Sequence, residues 1–422
     1  MKQSKTGFRL AAVACAGALV LAACGSGEKE ENKADDVAKG DGEFVVGSLL
    51  PQTGSLAFLG PPEIAGVNLA VKEINDAGGV LGKPVRHVDA DSGDAKSAIA
   101  PAETDKLLKA KADVIVGAAS SGVSLTVIDK ILEAGTVMIS PANTSTAFDE
   151  KPYDKPDLYF RTAPSDVLQG AVLANLLIED GRKNVAIMAR QDSYGQVLAE
   201  QVEKGLEEAG SKVAVKTLYS EEAKNFDTEI SKVAAAKPDA LVLIAFDETL
   251  KIVPALVAEG IGPKDLPAYF VDGNTANYSK DGGTPLPEGM VEGVKGTVPG
   301  VAAPDGFQKR LLEVDPKLSD FTYAAEAYDA TILTALAAVA AKNESGEAIA
   351  LELPGISQDG TKCTGFKECA DLLEKGEDID YDGLSGPIAF SDLGSPTEAS
   401  IGIYLYGKDN TNKAVKFISG KI

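Results

Sequence analysis

The chain has 422 residues, of which 44% are hydrophobic and 25% are charged, and its formal net charge is −22. This length allows two or three domains, and the composition is that of a globular protein with a substantial core. So large a negative charge repels the phosphates of nucleic acids, and the absence of tryptophan leaves little means of stacking on bases. We therefore expect no nucleic-acid partner.

The first 23 residues have the pattern of an export signal. Lys2, Lys5 and Arg9 precede a short apolar run, residues 10–20, which is too short to span a bilayer as a mature helix. Residues 21–24, Leu-Ala-Ala-Cys, resemble the bacterial lipobox, whose cysteine is lipidated and becomes the mature N-terminus. We expect a lipid anchor at Cys24 on the outer face of the cell membrane, on its periplasmic or cell-wall side. A plain secretion signal with an incidental cysteine is the alternative.

From residue 43 onward, apolar strands alternate with amphipathic helices. Residues 24–42 before them are polar and predict a flexible tether. The predicted strands are residues 44–50, 85–90, 113–117, 136–140, 185–189, 213–218, 240–245 and 268–271, and the predicted helices are residues 64–74, 95–110, 124–134, 167–180, 195–209, 226–236 and 248–259. Such alternation predicts an α/β protein with parallel sheets covered by helices on both faces. No segment after residue 42 is expected to be long and apolar enough for a transmembrane helix.

One unit of this alternation recurs about a hundred residues later. Residues 111–144 run strand, loop, helix, strand and polar loop, and residues 237–275 repeat that order with similar loops. One explanation of this repeat is coincidence, because α/β proteins in general share this order of strands and helices. Matching loops in matching places favour two lobes of like fold.

Two serines follow the strand at residues 113–117 and come directly before a helix. Ligands of open parallel sheets sit outside the carboxyl ends of the strands, where helix N-termini present unpaired N–H groups and a partial positive charge. Ser120 and Ser121 could hold a carboxylate there, and residues 141–144 add polar groups at the next strand end. Serine also commonly caps its own helix, which is the simpler reading of Ser121 alone. Two such loops, mirrored in the other half, indicate a binding site.

Cysteine usage is consistent with export. Cys363 and Cys369 stand in the sequence CTGFKEC, and two nearby cysteines in an oxidising compartment predict a disulfide bond. A metal pair is the alternative, but His87 is the only histidine of the chain. We expect no metal and no other cofactor.

Several motifs together resemble the leucine/isoleucine/valine family of periplasmic-type binding proteins, which feed ABC importers. The strongest is INDAGGVLGKP at residues 74–84, and the others fall in the family's order: residues 53–54, 89–91, 121, 140–144 and 192–195. The resemblance covers roughly residue 44 to the end. It implies two doubly wound parallel-sheet lobes joined by three crossovers, with a ligand clamped between them and hinge bending that closes the cleft.

The resemblance also implies the limits of these lobes. We place the crossovers near residues 161–163, 296–298 and 384–387. The first lobe is then residues 43–162 plus 298–385, and the second is residues 163–297 plus 386–422. A monomer that delivers its ligand to an ABC permease in the membrane is expected.

Four candidate ligand-binding residues belong to the first of the two polar units. Ser121 matches the family position that grips the ligand carboxylate, and Ser120 adjoins it. Ala142 matches a backbone carbonyl that accepts from the ammonium, and Thr144 matches a hydroxyl that bonds either end of the ligand.

The remaining candidates supply the acid and the apolar walls. Asp272 matches the acid that pairs with the ammonium, with a one-residue ambiguity because Gly273 follows. Tyr194 matches the tyrosine that closes over the ligand, and Phe246 stands where a second aromatic residue often lies. Leu59 occupies a position where close relatives often have an aromatic residue, which leaves the side-chain pocket undefined.

This set suits an α-amino acid, because burying an unpaired carboxylate or ammonium costs several kcal/mol, on the order of 3 or more. Hydroxyls and helix-end N–H groups serve the anion, and one carboxylate serves the cation. We expect a branched-chain or aliphatic L-amino acid. The alternatives are the same fold binding an amide, urea, polyol or aromatic acid, or a sensor that docks on a membrane receptor. An enzyme is not expected, since residues 78–84 lack the spacing of a phosphate-binding loop and no HExxH motif is present.

Overall fold

A computed structural model describes residues 37–150, 158–283, 285–301 and 304–422. The export signal, Cys24 and most of the predicted tether lie outside these residues. The end of the tether is described and lies against the protein surface: the Gly40 N–H donates to Oδ1 of Asn343 at 3.0 Å, and Nδ2 of Asn343 donates to the Ala38 carbonyl at 2.9 Å.

The first sheet has five strands, all parallel, in the order β2-β1-β3-β4-β5. Its strands are β1 (Val45–Leu50), β2 (Arg86–Asp91), β3 (Val114–Gly117), β4 (Val137–Ser140) and β5 (Tyr159–Arg161), and the helices between them are α1 (Gly60–Asp76), α2 (Ile99–Lys109) and α3 (Ser121–Glu133). Strands β1, β3, β4 and β5 are buried along their whole length, which explains why they appear in the sequence as continuous apolar runs.

The second sheet has seven strands in the order β14-β13-β10-β9-β8-β6-β7. Its parallel part is β6 (Asn184–Arg190), β7 (Lys212–Tyr219), β8 (Ala240–Ile244), β9 (Ala268–Phe270) and β10 (Lys295–Pro299), and its helices are α4 (Asp166–Glu179), α5 (Gly195–Glu208), α6 (Asp227–Ala236) and α7 (Thr249–Ala258). An antiparallel hairpin, β13 (Glu398–Tyr406) and β14 (Asn412–Lys421), completes it. The alternating sheets and helices predicted from the sequence are confirmed, and β5, β10 and the hairpin are additions that the sequence pattern did not indicate.

The chain between the second sheet's β10 and β13 returns to the first sheet. It contains α8 (Asp305–Val314), α9 (Ala324–Ala341), α10 (Gly346–Glu352), β11 (Thr361–Cys363), α11 (Phe366–Glu374) and β12 (Ile379–Tyr381). Cys363 and Cys369 form a disulfide bond that ties β11 to α11.

Helix α9 corrects the expectation that no later segment is long and apolar enough to cross a membrane. It has 18 residues with a mean hydropathy of 1.3, which meets the requirement by length and composition. However, 83% of it is buried inside the protein, where it packs against α1 and the first sheet. Its apolar character is therefore that of a central core helix.

Three connections join the two sheets, as the family resemblance implies. Arg161, at the end of β5, is fully buried and ties the first connection to the third, because its Nε donates to Oγ of Ser395 at 2.8 Å. The predicted second crossover at residues 296–298 lies within β10, a strand of the second sheet. Ile388 and Phe390 fall in the predicted second lobe, but they belong to the core cluster of the first sheet. The exact lobe boundaries stay predictions.

Candidate functional site

A narrow cavity lies between the two sheets, at the carboxyl ends of their strands. Its walls come from the loops that follow β1, β3, β4, β6, β8 and β9 and from the segment before α9: Leu56, Leu59, Ala119, Ser120, Ser121, Ala142, Tyr194, Phe246, Asp272, Gly273 and Tyr323. The cavity measures about 10 Å³, which is room for about one water molecule. An amino acid can therefore enter only if the two halves separate.

The first-sheet wall is built on the N-terminus of α3. Ser120 is the N-cap residue, and its Oγ accepts from the Val123 N–H at 3.4 Å. Ser121 begins the helix, is 2% exposed, and its Oγ accepts from the Ser145 N–H at 3.4 Å. Both serines face the cavity beside the positive end of the helix, an arrangement that suits a carboxylate.

The loops after β3 and β4 are held together by a buried asparagine that the sequence patterns did not single out. Nδ2 of Asn143 donates to the carbonyls of Ala118 and Ala119, at 3.0 and 2.9 Å, and its Oδ1 accepts from the Tyr159 hydroxyl at 3.0 Å. Gly117 has φ +127°, and a Cβ there would overlap the backbone of Leu49. These contacts fix the positions of Ser120, Ser121 and Ala142.

Asp272 forms the opposite wall and is 4% exposed. Its Oδ1 accepts from the Tyr194 hydroxyl at 2.7 Å and from Nε2 of Gln169 at 2.9 Å, and its Oδ2 accepts from the Tyr323 hydroxyl at 2.9 Å. Burial raises the pKa of Asp272, and these three hydrogen bonds oppose that rise. The donors thus support a negative charge at a place where an approaching ammonium would meet it.

Gln169 and Tyr323 are partners of Asp272 that sequence reasoning missed, and Leu56 and Ala119 also line the cavity without having been predicted. Gln169 lies on α4, one turn inside a helix whose pattern is that of an ordinary core helix. Tyr323 precedes α9 with φ +59°, in a segment for which no strand or helix was predicted. Neither Gln169 nor Tyr323 carries a sequence signal for this role, because each reaches Asp272 only through the tertiary fold.

Two aromatic rings form the apolar side of the cavity. Tyr194 and Phe246 stack with their ring centroids 5.4 Å apart, and the Arg190 guanidinium lies 3.5 Å above the Phe246 ring. Arg190 forms ion pairs with Glu248 at 3.0 Å and Glu221 at 3.2 Å, which fix the guanidinium that packs on the Phe246 ring. Leu56 and Leu59 face it from the first half.

Thr144 is the one predicted binding residue that does not line the cavity. It is fully buried, and its carbonyl accepts from the Asp166 N–H at 2.7 Å. Its hydroxyl lies beside the Asp166 carboxyl without a hydrogen bond of normal geometry. Burial, and then the charge of Asp272, raise the pKa of Asp166 well above its ordinary value. Neither Thr144 nor Asp166 lines the cavity.

Seven of the eight predicted residues are therefore brought together, with hydroxyls and a helix N-terminus on one side and a carboxylate on the other. In the described ranges, no group of three or more His, Cys, Asp or Glu residues could hold a metal ion. His87 lies on β2, where its ring nitrogens contact Asn68 at 2.9 Å and Ser48 at 3.0 Å.

Known proteins give the same picture of the fold. The chain is 33% identical over 188 residues to the leucine-, isoleucine-, valine-, threonine- and alanine-binding protein of Pseudomonas aeruginosa, a match covering 44% of this chain and 49% of that protein. The branched-chain amino acid transporter substrate-binding protein LivJ of Streptococcus pneumoniae, solved with isoleucine, has a TM-score of 0.70 at 22% identity over 90% of this chain and all of that one.

A solute-binding protein of Rhodopseudomonas palustris in complex with 4-hydroxybenzoate has a TM-score of 0.71 at 18% identity, over 90% of this chain and 98% of that one. The chain spans about half to three fifths of the length of the curated relatives it matches. The periplasmic binding protein family matches over residues 43–400. The two-sheet fold, the interlobe cavity and this match together identify the chain as a member of the periplasmic binding protein family.

Proposed function

We propose that the protein captures a branched-chain or other aliphatic L-amino acid between its two lobes and delivers it to an ABC permease. The observation that carries this proposal is the placement of Asp272 across a buried cavity from Ser121 and the N-terminus of α3. A zwitterion needs both partners at once, because either charge buried alone is strongly destabilised.

The side chain of the ligand would contact the apolar part of the cavity. Leu56, Leu59 and Phe246 offer it only carbon atoms, and each buried CH₂ contributes about 0.8 kcal/mol. Such a surface separates leucine from valine by about 1–3 kcal/mol, so several aliphatic amino acids would bind. The breadth stated in the name of the Pseudomonas relative supports this expectation.

The buried acid argues against a purely anionic ligand. The Rhodopseudomonas neighbour binds 4-hydroxybenzoate, whose carboxylate has no accompanying cation. In this chain such a ligand would lie beside the buried carboxylate of Asp272, and like charges repel strongly at low dielectric. An amino acid is favoured for that reason.

The cellular setting is part of the same proposal. The chain would be exported, anchored through lipid at Cys24, and present as a monomer without enzymatic activity. Its lobes would be residues 43–162 plus 298–385 and residues 163–297 plus 386–422. Separation of the lobes would admit the ligand, and closure would present the loaded form to the permease.

A thermal-shift screen of the mature chain tests the ligand class. The panel is leucine, isoleucine, valine, alanine, an aliphatic amide, a polyol and benzoate, each well above the expected dissociation constant. A ligand at about 100 times its Kd stabilises by about 2.7 kcal/mol, so aliphatic L-amino acids should raise the Tm and the others should not. A shift with benzoate and none with any amino acid would contradict the proposal.

A further inference from the structure

A second, larger cavity lies behind the first. It measures about 300 Å³ and is bounded by residues 319–326 on one side and by the ends of β10, β13 and β14 on the other. Tyr323 separates the two cavities, since it lines both while its hydroxyl reaches Asp272 in the first. The binding of an amino acid in the first cavity leaves this space unused.

The second cavity is acidic. Glu326 lines it and is only 4% exposed, and its carboxyl group has no side-chain hydrogen bond or ion pair with the described residues. Behind it lies Glu63, fully buried, with both carboxyl oxygens unpaired. Asp320 also lines the cavity, and its carboxylate accepts hydrogen bonds only from the next two residues of its own turn. In the described lining there is no lysine or arginine.

Aromatic rings form much of the remaining wall: Phe321, Tyr323 and Tyr404. Burial, and then the charges of Glu326 and Asp320, raise the pKa of Tyr404 to about 12, and all three residues line the cavity. Aromatic faces attract organic cations, and this attraction strengthens when water is excluded. The Glu326 carboxyl adds a direct charge partner when it is ionised, and a bound cation favours that ionised form.

The chemistry of these walls selects among possible ligands. A divalent metal needs several oxygen or nitrogen ligands in a tight shell, and no such group occurs among the described residues. An anion would meet two carboxyl groups and no basic side chain. An alkylated ammonium compound presents one positive charge and several methyl or methylene groups, which match the carboxylates and the rings.

We propose that the second cavity binds an alkylated ammonium compound, separately from the amino-acid site. Its location between the two halves places the bound cation against residues of both, Glu326 on the first side and Tyr404 on the second. The ligand would therefore contact both halves in a cavity that Tyr323 separates from the one lined by Ser121.

The test is a calorimetric titration of the full mature chain with tetramethylammonium chloride at about pH 9 and constant ionic strength, because burial raises the pKa of Glu326 to about 8 and its carboxyl is ionised above that pH. A parallel titration uses tert-butanol, a neutral compound of similar shape. We expect saturable binding of tetramethylammonium and none of tert-butanol. Glu326→Gln should weaken tetramethylammonium binding about tenfold or more, whereas Glu313→Gln, which removes an exposed acid of α8, should leave it unchanged.

A second variant keeps the test decisive if Glu326→Gln folds poorly. Tyr404→Leu removes an aromatic face without changing the charge, and it should also abolish tetramethylammonium binding. Absence of saturable binding to the wild-type chain, equal binding of tert-butanol, or full retention of binding by both variants would overturn the proposal. Leucine is titrated alongside, so failure of the amino-acid site and failure of the second cavity are separate results.

Discussion

The Tyr323 hydroxyl donates to Oδ2 of Asp272 at 2.9 Å, although 51 positions separate the two residues and they approach the cavity from different halves of the fold. Asp272 follows β9 of the second sheet, and Tyr323 precedes α9, which packs against the first sheet. The hydrogen bond therefore crosses between the halves and couples the charge of Asp272 to their closed arrangement.

Removal of this hydroxyl should weaken ligand binding. Tyr323→Phe leaves Asp272 with the donors of Tyr194 and Gln169 only, and a hydrogen bond to a charged group contributes about 1.5–3 kcal/mol. We expect leucine affinity to fall about 10-fold or more in calorimetry. Tyr269→Phe is the matched control, because it breaks a tyrosine–aspartate bond, to Asp180 at 2.6 Å, away from the cavity. An equal loss in both variants would show a general effect on folding.

Substitutions of the two neighbouring serines should have different effects, one on the stability of α3 and the other on ligand affinity. Ser120 caps α3, so Ser120→Ala should lower the free energy of unfolding by about 1 kcal/mol in urea titrations. Ser121 faces the cavity from the first turn, so Ser121→Ala should lower leucine affinity about 10-fold with less effect on stability. Unchanged affinity in Ser121→Ala would remove this residue from the carboxylate site.

Glu326 should make the protein less stable as the pH rises. Burial raises its pKa from 4.5 to about 8, so the folded chain holds this proton more tightly than the unfolded chain does. The stabilisation by this bound proton is complete below about pH 4.5 and is lost as the pH rises to about 8. The free energy of unfolding should therefore fall by on the order of 3 kcal/mol between pH 5 and 8 because of this group. Urea unfolding at both pH values measures it.

Glu326→Gln cannot ionise, and its stability should therefore decline less between pH 5 and 8 than that of the wild-type chain. Glu313→Gln, on the exposed face of α8, should keep the wild-type pH dependence. If Glu326→Gln and the wild-type chain lose the same stability over this range, Glu326 does not bind the proton as described.

The disulfide bond should support stability without affecting the ligand. Cys363 and Cys369 are both buried and lie outside the cavity lining. The chain-entropy model gives about 2 kcal/mol for closing so short a loop. The double variant Cys363→Ala, Cys369→Ala should therefore unfold at a lower temperature and bind leucine with wild-type affinity. A large loss of affinity would show that this region is coupled to the site.

Sequence patterns predicted the alternating part of the fold because its strands are buried on both faces and its helices show one apolar stripe. The same reasoning located Ser120 and Ser121 in the loop that follows β3, whereas Asp272 was assigned by the family resemblance. The last two strands were missed because β14 is largely exposed and has no continuous apolar run. Its pairing with β13 depends on contacts that local periodicity does not reveal.

The missed site residues have a related cause. Gln169 and Tyr323 reach Asp272 only through tertiary folding, and neither lies at a strand end. Thr144 was assigned to the ligand by family resemblance, but the loop after β4 turns its hydroxyl toward Asp166. The direction of a side chain in a loop is set by its neighbours in space, which sequence spacing alone does not specify.

The most direct test of the central claim is calorimetry of leucine binding to Asp272→Asn. This change keeps the shape of the side chain and removes the charge that would meet the ammonium, and Asp265→Asn, at an exposed position before β9, is its control. We predict that Asp272→Asn loses measurable leucine binding while it folds normally and that Asp265→Asn binds as the wild-type chain does. Leucine binding of wild-type affinity in Asp272→Asn would contradict the claim.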